Sequence, residues 1–167
     1  KIMSIPIRYI PKHLSPKDSI MQHKNILKSR HHYKSGKYYQ RPVVKTFKSR
    51  PSSHVKRARI EYNVNSIAPS RTLAKRTGCS MDALEKIVSK GRGAYYSAGS
   101  RPNQTAESWG IARLASSITG GNSSIVDYHI LAEDCTKRSR ALHLATKTCR
   151  SKNRCLKQLG KRRQTKK

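Results

Sequence analysis

Acidic residues are scarce: 8 Asp and Glu stand against 37 Lys and Arg in 167 residues, a net charge of +29. That imbalance excludes a self-neutralising surface and calls for an anionic partner, either nucleic acid or an acidic protein face. Long apolar runs are missing too. No stretch approaches the roughly 18–20 residues that span a bilayer, and the first residues contain no apolar signal core, so neither a membrane span nor a secretory signal is expected. Cysteine is limited to Cys79, Cys135, Cys149 and Cys155, which are too few and too dispersed for a disulfide scaffold. No CxxC pair announces a metal, and His143 with Cys149 and Cys155 could reach zinc only from irregular backbone. Buried free thiols are the expectation, ahead of a disulfide and of zinc. The chain has no Gly-Lys-Ser/Thr phosphate loop, no paired catalytic carboxylates and no Ser-His-Asp spacing. Gly91 and Gly93 lack the third glycine of a dinucleotide fingerprint. No cofactor, small-molecule substrate or enzymatic activity is therefore expected.

The charge present is unevenly placed. Residues 1–65 hold 16 Lys and Arg against 2 acids, residues 66–133 hold 8 against 5, and residues 134–167 hold 13 against 1, giving +14, +3 and +12. The near-neutral middle can collapse on itself, whereas the flanks repel themselves until a partner covers them. The chain accordingly divides into an extended basic arm with one helix (1–50), a compact α+β domain (51–135) and a basic helical C-terminal arm and tail (136–167).

Local signals fill in this plan. Pro6 and Pro11 keep the first residues extended. Ser15-Pro16-Lys17-Asp18 opens a helix to about Arg30, with Ile20, Met21, Lys24 and Leu27 on one side. From His31 to Arg50 cations alternate with Tyr33, Tyr38, Tyr39 and Phe47, a composition that suits phosphate contacts with base stacking or packing across an acidic protein surface. Short helices are expected from Ser52 or Ser53 to Tyr62, from Ser70 to Gly78, and from Ser80 to Gly91. The last two resemble a helix-turn-helix, but Asp82, Glu85 and Lys86 give the second the wrong charge for a nucleic-acid groove. Thr105 caps a helix that ends at Gly120-Gly121. Ala94–Ser97 and Ile125–Leu131 read as paired strands, the latter with Val126, Tyr128 and Ile130 on one face. The predicted fold class is α+β: a small central domain of short helices and a two-to-three-stranded sheet, with extended basic N- and C-terminal arms. The last stretch, from Cys135, is helix-compatible with Leu142, Ala145 and Cys149 in register.

The glycine-rich run Lys90–Gly110 carries Tyr95, Tyr96, Arg101 and Trp109, so it reads as a specified backbone path. Across the two expected strands Tyr95, Tyr96, Arg101, Asp127 and His129 could converge, and Asp127 with His129 would share a face as an acid/base pair. The plainer reading is that Asp127 and His129 satisfy arginines. The expected partner contacts are Arg41, Lys45, Lys48, Arg50, Lys56, Arg57, Arg59, Arg92, Arg101, Lys161, Arg162 and Arg163.

Several blocks together resemble a known family. They are Tyr9–Asp18 (YIPKHLSPKD), Tyr33–Pro42 (YKSGKYYQRP), Phe47–Val55 (FKSRPSSHV), Lys90–Thr105 (KGRGAYYSAGSRPNQT), Ser108-Trp-Gly110 and Val126–Ile130 (VDYHI). These are similar to small basic proteins of unknown activity encoded by large DNA viruses of algae and protists. The likeness covers roughly Tyr9 to Cys135 and implies a virion protein made in the host cytoplasm. The implied role is a minor capsid component that bridges neighbouring capsid proteins through basic arms, with a viral DNA-associated or ribosomal nucleic-acid-binding protein as the alternative.

Overall fold

The computed structural model describes residues 4–155 and Lys157. A 3-10 turn (Ile7–Tyr9) precedes eight helices: α1 (Pro16–Lys34), α2 (Ser53–Tyr62), α3 (Arg71–Thr77), α4 (Met81–Ser97), α5 (Ala106–Ile118), α6 (Asn122–Val126), α7 (Tyr128–Asp134) and α8 (Arg140–Ser151). Among the described residues the only β pairing is a lone antiparallel bridge between Cys79 and Cys135. The expected sheet is thus replaced by an all-helical fold, and the α+β assignment is corrected.

Both misassigned strands fail for identifiable reasons. Ala94–Ser97 is the last turn of α4, which runs on through Gly91 and Gly93. Glycine inside a helix costs about 1 kcal/mol relative to alanine. The helix continues here because tertiary packing occupies the vacated space: a Cβ on Gly93 would stand 3.3 Å from the Tyr33 hydroxyl. In Ile125–Leu131 the alternation is accidental. The segment breaks at Asp127 into α6 and α7, burying Tyr128, Ile130 and Leu131 while Val126 stays 60 % exposed.

Helix starts follow the capping signals at Ser15, Ser52 and Ser70, whereas the stop expected at Gly91 does not occur. These serines, and Ser139 at the start of α8, where no cap was expected, accept from the backbone N–H three residues on. Thr105 and Ser108 cap α5 reciprocally, each hydroxyl accepting the other's N–H at 3.0 Å. Gly78 ends α3 at φ +73°, a left-handed conformation that glycine adopts without penalty.

The chain forms two compact units, each discontinuous in sequence. The first combines residues up to 50 with residues 90–110. Its core holds Tyr9, Leu14, Ile26, Val44, Tyr95, Tyr96 and Ala106. Much of its backbone is irregular, and side chains supply the partners that a sheet would have given. Gln22 donates to the carbonyls of Tyr9 and Ser100 at 3.1 and 3.2 Å. Asn103 accepts from Val44 N at 2.7 Å and donates to the carbonyls of Val44 and Phe47. Gly99 turns the chain at φ +107°, where a Cβ would meet Ile26 Cγ2 at 2.9 Å.

The second unit combines residues 51–89 with residues from 111 onward. It carries a larger apolar cluster, including Leu73, Leu84, Ile87, Leu114, Ile118, Leu131 and Leu142, all within 1 % of complete burial. Each such side chain contributes roughly 1.5–3 kcal/mol. Two disulfides, Cys79–Cys135 and Cys149–Cys155, tie this unit. The expectation of free thiols is overturned, because folding brings together cysteines that are 56 residues apart in sequence.

Candidate functional site

Acidic side chains are mostly engaged within the fold. Asp127, fully buried, accepts from Arg113 Nε and Nη2 at 2.9 and 2.7 Å and from Ser117 Oγ at 2.8 Å. Removing one partner of a buried pair of this kind costs about 3–5 kcal/mol, so Asp127 acts as a structural anchor. His129 lies in α7 and is half-buried. The acid/base pair expected on one strand face is therefore corrected: there is no strand, and the Asp127 carboxylate serves an arginine and a serine. Tyr95, Tyr96 and Arg101 belong to the other compact unit.

Five further acids are held by neighbours. Glu61 pairs with Arg140 at 2.6 Å, and Lys86 bridges Asp82 at 2.6 Å and Asp134 at 3.1 Å. Glu107 pairs with Arg92 at 2.6 Å. Asp18 accepts from Thr46 N and Oγ1 at 2.9 and 2.7 Å, and these bonds hold its carboxyl below the usual carboxylate range. The exposed pairs contribute little to stability. Their effect is electrostatic, since carboxylates occupied in this way leave the remaining surface cationic.

The predicted contact residues fall into three groups. Lys45, Lys48, Arg50, Lys56, Arg57, Arg59 and Arg101 are exposed, and Arg92 is exposed but bound to Glu107. Arg41 points inward. Its guanidinium lies 3.7 Å from the centre of the Tyr95 ring and donates to Tyr95 O, Ser29 Oγ and Ser100 Oγ at 2.8, 3.0 and 2.7 Å. Burial pushes its pKa down from the ordinary arginine value. With Ser29 donating to Tyr96 O and Arg30 to Ala98 O, Arg41 occupies the carbonyls at the C-terminus of α4, where a cation complements the helix dipole. It is part of the scaffold. Lys161, Arg162 and Arg163 lie outside the described residues.

Two surfaces lie outside the expected contact residues. The first is on α1. This helix buries Asp18, Gln22, Ile26 and Ser29, while Ile20 and Leu27 are 57 % and 40 % exposed. The narrow apolar stripe, whose expected docking was on a partner or on the central domain, thus faces out, with Lys17, Lys24 and Lys28 exposed beside it. The inward face joins Ile26, fully buried in the core, to polar groups that serve the irregular backbone of its own unit: Gln22 donates to two carbonyls and Asp18 holds Thr46. The second surface is α8. Its inner face of Ala141, Leu142, Ala145 and Cys149 is buried, and Arg140, His143, Lys147 and Arg150 are exposed at helical spacing. The 3.6-residue recurrence of cations was the available signal.

A shallow cleft lined by Asn122, Ile125, Val126, Lys152 and Arg154 lies in the second unit. Among the described residues no three metal-ligating side chains converge, and no helix is long and apolar enough to cross a membrane.

The model of a family of unknown function, DUF5824, matches residues 6–129, about three-quarters of the chain, and stops short of α8. No curated protein and no solved structure matches the chain.

Proposed function

The chain belongs to the family of unknown function DUF5824, and from that premise we propose that it is a structural component and not an enzyme. It acts as a minor capsid protein of a large icosahedral DNA virus, holding neighbouring capsid proteins together at the inner surface of the shell. Two things support this reading. One is the likeness of its Tyr9–Asp18, Tyr33–Pro42 and Lys90–Thr105 blocks to basic proteins of such viruses. The other, which carries it, is the outer face of α1. A helix that buries Ile26 with Asp18, Gln22 and Ser29 while leaving Ile20 and Leu27 exposed has two apolar side chains available to another protein.

The partner face that fits this stripe is an apolar groove with an acidic rim. Ile20 and Leu27 would supply the apolar contacts on either side of Lys24, with Lys17 and Lys28 at the border, and these charges set orientation and encounter rate. Ile20 and Leu27 are about half exposed, so burying what remains of them is worth roughly 1.5–3 kcal/mol together, about one to two orders of magnitude in occupancy. The test is a virus carrying Ile20→Asp with Leu27→Asp. Because both positions are exposed, the purified variant should keep the parent's circular dichroism and melting curve. Its copy number in purified virions should fall at least tenfold. Incorporation at the parent's level would overturn the reading.

A further inference from the structure

Helix α8 presents a surface of a different kind from α1. Between Cys135 and Lys157 the sequence contains no Asp or Glu. On α8 itself the exposed positions Arg140, His143, Lys147 and Arg150 recur every three or four residues, which places them on one side of the helix. They span about 15 Å at 1.5 Å rise per residue. Arg140 is engaged by Glu61 at 2.6 Å, so the outward charge centres on Lys147 and Arg150, with His143 beside them. Lys137 and Arg138 extend the exposed cationic run just before the helix.

Basic amphipathic helices commonly serve membranes, hydrophobic grooves or nucleic acid, and burial distinguishes among these here. The apolar face of α8 is not available. Ala141, Leu142, Ala145 and Cys149 are each no more than 1 % exposed, packed in the core of their own unit. Neither insertion among lipid chains nor docking into a groove can use it. A protein interface needs a desolvated apolar centre, and the outer face of α8 offers none. Attraction to a phosphodiester backbone needs only exposed cations at a suitable pitch, because its free energy comes chiefly from counterion release.

We propose that the outer face of α8 binds the phosphate backbone of nucleic acid, with Lys147 and Arg150 as the principal contacts. The contacts expected are to phosphate oxygens, which carry no base identity, so discrimination among base sequences is not expected. It goes beyond the α1 docking and stands apart from it, so either can fail alone.

The experiment uses the full chain and a labelled 20-base-pair DNA duplex of random sequence, with affinity measured by anisotropy between 50 and 200 mM KCl at pH 7.5. Lys147→Gln with Arg150→Gln is compared against Lys75→Gln with Arg76→Gln, exposed cations of α3 whose loss changes net charge equally. The α8 variant should bind roughly tenfold more weakly, and its plot of log affinity against log salt should flatten by about 2, near one unit per lost phosphate contact. The α3 variant should lie close to the parent. Three outcomes would overturn the proposal: an α8 variant with the parent's affinity and slope, equal losses from both variants, or polyglutamate of matched charge displacing the probe as well as unlabelled duplex.

Discussion

Asp18 and Asp127 are both buried acids near sequence motifs, and the two differ in how much the sequence disclosed. Ser15-Pro16-Lys17-Asp18 announced a helix start, and Ser15 Oγ does accept from Asp18 N at 3.2 Å. The carboxylate's other task, gripping Thr46 through its N–H and hydroxyl, joins residues 28 apart and left no local trace. Asp127 was visible as one of two polar groups in an apolar run. Its partner Arg113 could not be named, because only the break between α6 and α7 brings the two together. Asp18 also sets a pH response. Its folded pKa is depressed below the unfolded value, chiefly by the Thr46 side-chain bond. The stabilisation it provides is therefore fully present above the unfolded pKa, near 3.9, and is lost as pH falls through the folded value. Asp18→Asn should melt below the parent at pH 7, with the gap narrowing as both are acidified below the unfolded carboxylate value, near 3.9. A gap of unchanged size at pH 2 would show that the carboxylate's charge contributes nothing.

Helix boundaries were legible because serine caps and C-terminal glycines act within four residues, whereas helix identity inside Lys90–Gly110 and Ile125–Leu131 depended on distant packing. Gly91 and Gly93 resemble turn residues until Tyr33 is seen to occupy the space beside Gly93. The same limit hid the disulfides. Cys79 follows the C-cap of α3 and Cys135 follows α7, and their approach depends on how four helices fold between them. On the loop-entropy account, closing a loop of 56 residues stabilises the unit by about 4 kcal/mol, and the six-residue loop between Cys149 and Cys155 by about 2 kcal/mol. Cys79→Ser with Cys135→Ser should thus lower the melting temperature clearly more than Cys149→Ser with Cys155→Ser, each compared with the parent under non-reducing conditions. Equal shifts would mean that strain or residual structure in the unfolded chain outweighs loop length. With Cys149 anchored in the core, the shorter bridge also fixes the chain just beyond α8, the helix that bears the proposed phosphate contacts.

At the scale of the molecule, composition gave the sign of the surface but not its division of labour. Net charge of +29 required an anionic environment. It could not show that one exposed face, on α1, mixes Ile20 and Leu27 with lysines while another, on α8, is cationic alone. Nor could it show that the core of the first unit is assembled from two separated stretches. Tyr9, Ile26 and Val44 come from the first fifty residues, and Tyr95, Tyr96 and Ala106 from residues 90–110. A fragment of residues 1–89 should accordingly lack the protected amides of that core, and adding a peptide of residues 90–110 in trans should restore some of them. Protection in the fragment alone would place the core elsewhere. The interleaving also dictates timing during synthesis. After Arg50 is joined, a further 39 residues (51–89) must be added before the segment that completes the first core begins to appear, a delay of roughly 2–8 seconds at ordinary elongation rates. For that interval a strongly cationic nascent chain stands open beside ribosomal RNA, so the cell meets its charge before it meets its fold.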